Sequence, residues 1–369
     1  MRVGLSLLTL VPGISGGSET YARELCRALA RVGSHRYEVL VPTLAPEAGG
    51  GLETVVATGY PASTTIPGRL RAMTGASMRP GALADRLTGA DVVHYPLTVP
   101  VPPVDRPTIL TLLDVQHLDL PALFPRGERL FRRLAYDRAA ARADQVIVIS
   151  EWTRGRVVER LGLDPGRVHA IHLAVDHERF SPDPTVEREP FLLYPARPWA
   201  HKNHARLFEA FAGLRHERPE LRLVLTGVGH DAARLPAGVE SLGGVPTSEL
   251  VSLYRRAAAL VFPSLYEGFG LPPLEAMACG APVVTSNTSS LPEVVGDAAV
   301  LVDPTDARAI AEGLAHVLAD PNLRADLQRR GVERARSFSW AEAARAVRRI
   351  YDESVAAGAP ASGAAGAAR

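Results

Sequence analysis

The chain has 369 residues, 41 of them basic, yet only one of these, Lys202, is lysine. Against a background of 40 arginines, that residue marks a place where a compact ammonium is wanted and a planar guanidinium fits differently. Arg197 precedes it by five residues in Tyr194-Pro-Ala-Arg197, at the end of an apolar run and before a helical pattern at residues 205–214. Two fixed cations in that position suit a diphosphate. Charge-assisted hydrogen bonds contribute roughly 1.5 to 3 kcal/mol each and strengthen as a leaving phosphate gains charge.

Residues 260–280 hold the second group with chemistry in it. An apolar strand leads into Tyr266-Glu267-Gly-Phe-Gly-Leu271, then into a short helix opened by Pro272 and Pro273 and closed by Gly280. Glu267 lies in the loop and Glu275 in the helix's opening turns, eight residues on. The amides of Gly268, Phe269, Gly270 and Leu271 can face an anion while each carboxylate accepts sugar hydroxyls. Glu275 also suits plain complementation of the helix dipole. A third element, Pro12-Gly-Ile-Ser-Gly16-Gly17, sets glycines between the first strand and a helix, where a phosphate or sugar can approach the backbone; a tight turn needs the same residues. It is not G-x-G-x-x-G, and no acidic residue closes the second strand, where Val39-Leu-Val-Pro42 stands. A nicotinamide-dependent oxidoreductase therefore ranks last.

The elements that must carry these groups alternate short apolar runs with helical periodicity, the grammar of βαβ units. Strands are expected at residues 3–8, 37–41, 53–57, 91–95, 108–113, 145–149 and 169–175. Their continuous apolar character is that of parallel strands buried on both faces. Three prolines and mixed charge make residues 181–190 a linker, after which the pattern restarts at 191–194, 221–226, 260–263, 282–285 and 300–302. The fold class is α/β. Residues 1–180 form one doubly wound, Rossmann-like domain and residues 191–338 a second, facing it across a cleft; a closing helix at 339–354 returns to the first, and a disordered tail occupies 355–369.

Composition agrees with an ordinary globular protein. Hydrophobic residues make 46% and charged residues 22%, and the formal charge of +1 leaves no nucleic-acid signature. Cys26 and Cys279 cannot build a disulfide framework, so a cytoplasmic setting is expected. The apolar start reads as a first strand, since no small-residue cleavage site precedes the glycine loop.

Taken together, the Gly16-Gly17 loop, the Arg197-x4-Lys202 pair, the Glu267-x7-Glu275 element, the phrase Val175-Asp-His-Glu-Arg-Phe-Ser-Pro182 and the downstream Ser290-Leu-Pro-Glu-Val-Val-Gly-Asp297 resemble the retaining glycosyltransferases of family 4, which have the GT-B fold. The resemblance covers residues 1–352 and points to the mannosyltransferase-like bacterial branch. It implies a nucleoside-diphosphate sugar as co-substrate and no separate cofactor. By the same resemblance, Arg197 and Lys202 meet the diphosphate, Glu275 the ribose, Glu267 the transferred sugar, the amides of Gly268 to Leu271 the sugar and phosphate, and the backbone near Val245 the base. The acceptor, a sugar, glycan, lipid-linked or small-molecule hydroxyl, is placed against the first domain. The departing phosphate helps to deprotonate it in a same-face displacement.

One departure stands out. Relatives commonly have histidine directly before the residue that matches Asp114, and this chain has Leu113. His117 is the nearby substitute, or else an ordinary surface group. No D-x-D motif is present, so no divalent metal is expected; the cations and amides neutralise the phosphate charge instead. Residues 126–142 carry six arginines among Leu130, Phe131 and Leu134, the pattern of a helix that lies on anionic lipid at the inner face of a membrane or turns a solvated face outward. Residues 67–79 read as a mobile acceptor loop.

The function expected is transfer of a hexose or deoxyhexose to an acceptor hydroxyl, with GDP-mannose a guess at the donor. The alternatives are a nucleotide-sugar epimerase on the same fold and an impaired protein that only binds nucleotide-sugars.

Overall fold

The computed structural model describes residues 1–14 and 16–358. The chain divides into two compact units. The first comprises residues 1–149, 154–171 and the described part of 340–369, and the second residues 150–153 and 172–339.

The first unit is built on seven parallel strands: β1 (Arg2–Ser6), β2 (Arg36–Val41), β3 (Glu53–Val56), β4 (Val92–Tyr95), β5 (Thr108–Thr111), β6 (Gln145–Val148) and β7 (Val168–Ala170), in the order β3-β2-β1-β4-β5-β6-β7. The central strands are buried and largely apolar because helices cover both faces; Val3, Leu5, Val92, Val93, Ile109 and Leu110 are all buried, with Ser6, His94 and Thr111 as buried polar exceptions. Helix Trp340–Gly358 belongs to this unit. Its Tyr351 hydroxyl lies 2.8 Å from His94 Nδ1, while His94 Nε2 meets the Thr111 hydroxyl at 2.8 Å, and Thr111 in turn meets the Tyr21 hydroxyl at 2.8 Å. This chain of buried polar groups ties the last helix to β4, β5 and helix Gly17–Val32. Burial pushes the His94 imidazole down to about 3.

The second unit repeats the plan with β8 (Glu189–Pro195), β9 (Arg222–Thr226), β10 (Val239–Ser241), β11 (Ala257–Phe262), β12 (Val283–Ser286) and β13 (Val300–Val302), all parallel, in the order β10-β9-β8-β11-β12-β13. The order reverses between β8 and β11. In such sheets the crevice outside the carboxyl ends of the two strands at the reversal is where ligands bind.

Several expectations are corrected. The segment read as a linker, 181–190, lies inside the second unit, and its last two residues already belong to β8. Residues 67–79 are no loop: helix Ile66–Met78 forms there, with Pro67 in its first turn and the Thr65 hydroxyl accepting from the Gly68 amide at 3.3 Å. The strand expected at 169–175 ends at Ala170. Strand β10 had no expected counterpart, and β11 opens at Ala257, three residues before the strand expected at 260–263. The last helix runs four residues beyond 354, into the stretch assigned to a tail; residues 359–369 lie outside the described residues.

Candidate functional site

Lys202 follows β8 and Glu267 follows β11, so the two strands at the reversal deliver one cation and one carboxylate to the same crevice. They meet there: Lys202 Nζ donates to Glu267 Oε1 at 2.5 Å, with the side chains only 12% and 13% exposed. The ammonium also stands 4.9 Å from the centre of the Phe262 ring.

Two arrangements hold Lys202. The Tyr194 hydroxyl, rising from β8, donates to the Lys202 carbonyl. Asn203, buried and in the left-handed region at φ 62°, donates through Nδ2 to the carbonyls of Pro263 at 2.9 Å and Pro304 at 2.7 Å. It thereby pins the start of helix His204–Glu217 to the ends of β11 and β13. The next residue, His204, has its imidazole pushed down to about 4 by burial and by the neighbouring His230. Arg197 sits earlier on the same segment, its guanidinium 5.6 Å from the centre of the Trp199 ring. A Cβ at Gly227 would lie 3.1 Å from the Ala196 carbonyl carbon, so only glycine, here at φ 113°, lets the turn after β9 pass this close.

Glu267 opens a loop whose carbonyls are taken up on one side. Ser290 Oγ donates to the Glu267 carbonyl at 2.9 Å and the Phe269 carbonyl at 2.6 Å, while Ser150 Oγ and Thr153 Oγ1 donate to the Gly268 carbonyl at 2.8 and 3.1 Å. The Glu267 amide donates to Ser289 Oγ at 3.1 Å. In a trans peptide the N–H points opposite to the preceding C=O, so fixing three successive carbonyls turns the following amides the other way. The amides of Gly268, Phe269, Gly270 and Leu271 donate to no protein group among the described residues. Leu271 begins helix Leu271–Ala278, whose free N–H groups and dipole favour an anion. Gly270, at φ 125°, makes the corner.

Glu275 lies one turn into that helix, partly buried, and accepts the Tyr254 hydroxyl on Oε2 at 2.9 Å. Burial pushes its carboxyl up to about 7. Val245 lies between β10 and helix Thr247–Arg256.

The structure thus brings Lys202 and Glu267 together, with the four amides next in the chain, Glu275 in the helix that Leu271 opens and Arg197 on the Lys202 segment. The remaining sequence candidates belong to the first unit. Gly16, at φ 54°, caps helix Gly17–Val32 in open surroundings. The Gly13 amide of that loop donates to Glu19 at 2.8 Å. Asp114 accepts from the Gln116 amide at 3.0 Å and lies 3.8 Å from Arg132. His117 is neither a surface group nor an open loop residue: it is 2% exposed, in helix Gln116–Asp119, with Nε2 2.9 Å from Asp137. Asn203, Tyr194, Tyr254 and Ser289 were not singled out from the sequence, because their partners are distant backbone atoms and one carboxylate that no spacing rule connects. Among the described residues, no three His, Cys, Asp or Glu side chains group as metal ligands.

Comparison with known proteins agrees with this geometry. The family model described as Glycosyltransferase Family 4 matches residues 15–179, and that described as Glycosyl transferases group 1 matches residues 176–334. The chain is 30% identical to O-antigen chain mannosyltransferase B of Escherichia coli, over 63% of this chain and 66% of that one; it spans just under two thirds of that relative's length. It is 29% identical to D-inositol 3-phosphate glycosyltransferase of Salinispora arenicola, over 94% of this chain and 89% of the other. Among solved structures, sucrose-phosphate synthase from Thermosynechococcus elongatus shares the fold, with a TM-score of 0.76 at 22% identity, covering 97% of this chain and 100% of that one. Two doubly wound parallel sheets and the two matches, which together take in residues 15–334, identify the chain as a member of glycosyltransferase family 4 with the GT-B fold.

Proposed function

We propose that the protein transfers a hexose or deoxyhexose from a nucleoside diphosphate to an acceptor hydroxyl, with retention of anomeric configuration and without a divalent metal. The observation that carries this reading is the Lys202–Glu267 pair beside four unengaged amides at the strand reversal. Glu267 is the anion that Lys202 meets in this structure. A bound diphosphate takes over the ammonium, together with Arg197 and the amides, and frees Glu267 to accept hydroxyls of the sugar. Glu275, ionised, accepts the ribose hydroxyls.

In the transfer step the bond from the anomeric carbon to the phosphate oxygen breaks and a bond to the acceptor oxygen forms on the same face. The acceptor proton passes to the departing phosphate. Charge grows on that phosphate as the bond breaks, and Lys202, Arg197 and the amides stabilise it more in the transition state than in the bound donor, which is what accelerates the reaction. The names of the relatives support a transferase over an epimerase, and the E. coli relative makes GDP-mannose the first donor to try.

The test is nucleotide release from UDP-, GDP-, ADP- and dTDP-sugars in excess EDTA, with products followed by mass spectrometry and anomeric NMR. Release from one donor with the α anomer retained supports the reading. An inverted product, or loss of all activity in EDTA that a divalent metal restores, contradicts it.

A further inference from the structure

Four arginines along one stripe of the first unit meet no carboxylate among the described residues. The segment runs as helix Arg126–Arg132, a π-helical turn Arg133–Asp137 and helix Arg138–Arg142. Arg126, Arg133, Arg138 and Arg142 are exposed and form no ion pair among the described residues. The segment's own carboxylates are already engaged, Glu128 with Arg132 at 3.0 Å and Asp137 with His117 at 2.9 Å. Leu130 and Leu134 stand among these arginines, 57% and 46% exposed.

The π turn decides which of these groups share a face. In a continuous α-helix the twelve residues from Arg126 to Arg138 would rotate the second arginine about 120° away from the first. The π turn, closed by the Arg138 amide donating to the Arg133 carbonyl, takes up one extra residue and restores about 100° of that rotation. Arg126, Leu130, Arg133, Leu134, Arg138 and Arg142, all exposed, consequently fall on one face of the segment. A stripe that mixes unpaired guanidinium groups with exposed leucines fits an interface that is anionic at its surface and apolar just beneath.

We propose that this stripe docks on the surface of an anionic phospholipid bilayer, with the arginines at the headgroup phosphates and Leu130 and Leu134 in the acyl boundary. The contact is peripheral, because among the described residues no helix is long and apolar enough to cross a membrane. A bare polyanion would use the arginines and leave the leucines idle. A lipid surface uses both.

Flotation of the full chain with phosphatidylcholine vesicles, with and without phosphatidylglycerol, tests the proposal. Binding is expected only to the anionic vesicles and is expected to weaken with salt. The double variant Arg133→Gln with Arg138→Gln should bind about thirtyfold more weakly, from about 1 kcal/mol for each basic residue near the surface. Leu130→Ser with Leu134→Ser should also lose binding, although it leaves every charge in place. All four positions are exposed, and an unchanged circular dichroism melt checks that both variants fold. Equal binding to neutral vesicles, no binding to anionic ones, or a leucine variant that floats like the parent would overturn the proposal, the last result making the stripe a general polyanion site.

Discussion

Lys202 and Glu267, separated by 65 positions in the chain, form an ion pair at 2.5 Å where the strand order of the second unit reverses. A strand on each side of the reversal supplies one partner, so the pair reports the register of β8 against β11 as much as the chemistry of the crevice. It also sets a competition. An anion that binds Lys202 competes with Glu267 for the ammonium.

That competition predicts opposite effects on binding and turnover in one variant. Glu267→Gln leaves Lys202 without its charged partner, so free nucleoside diphosphate should bind at least roughly fivefold more tightly, since even an exposed pair is worth up to ~1 kcal/mol. Nucleotide release from the sugar donor should fall if, as proposed, the Glu267 carboxylate holds the sugar, because an amide accepts hydroxyls less strongly. Calorimetric titration and a release assay read the two effects separately; weaker diphosphate binding would contradict the displacement.

Donor binding should depend on pH through Glu275. Burial raises its carboxyl to about 7, so the group gains a proton as pH falls through that value and would lose the capacity to accept both ribose hydroxyls in its proposed role. KM for the donor should therefore rise below pH 7 while kcat changes less. The Tyr254 hydroxyl bond favours the carboxylate, so Tyr254→Phe should move the midpoint to higher pH. A KM profile flat from pH 6 to pH 8 would remove Glu275 from the donor site.

Asn203 should matter to both fold and site. Asn203→Ala leaves the Pro263 and Pro304 carbonyls without their buried donor and puts alanine at φ 62°, a cost of about 1 to 3 kcal/mol visible in thermal unfolding. Asn203→Gly keeps the backbone conformation and isolates the hydrogen bonds. Both variants should raise the donor KM, because Lys202 loses its support.

Gly270 offers a comparison within one substitution type. Alanine there faces φ 125° and a Cβ placed 2.8 Å from Leu291 Cδ2, so Gly270→Ala should cost about 1 to 3 kcal/mol and distort the anion-facing loop. Gly213→Ala, inside helix His204–Glu217 with open space around it, should stabilise by about 0.5 to 1 kcal/mol and leave release unchanged. Paired melts and release rates check this.

Stability should fall in acid through His94. The native imidazole stays neutral down to about 3, while the unfolded chain takes up its proton near the ordinary value of 6.5. The unfolded state thus binds more protons between those values, so the stability present above pH 6.5 is lost as pH falls, by about 1.4 kcal/mol per pH unit for this group. Urea titrations from pH 7 to pH 4.5 should show this slope in the parent and a smaller one in His94→Gln.

Much of this was legible in the sequence, for identifiable reasons. Buried parallel strands are continuously apolar, so most of them could be placed to within two or three residues. Lys202 stood out by composition, and Glu267 and Glu275 by the glycines and prolines that frame a loop and a helix. Strand β10 escaped because three partly exposed residues make no apolar run. Helix Ile66–Met78 escaped because Gly68 and Gly75 look like punctuation and only Ala72 and Ala76 are buried along it. Asn203 and Ser290 act on carbonyls 60 and 101, or 23 and 21, residues away, contacts that exist only after the sheet has formed. His117 read as a surface group because Asp137, which meets its ring, lies 20 residues on.

The most direct test of the account is the rate of nucleotide release from the preferred donor, in EDTA, by Lys202→Ala and Lys202→Arg. Alanine is expected to cost on the order of 3 kcal/mol in transition-state stabilisation, a hundredfold or more in rate, and arginine is expected not to restore it. Release near the parent rate in either variant would contradict the claim that this one lysine holds the departing phosphate.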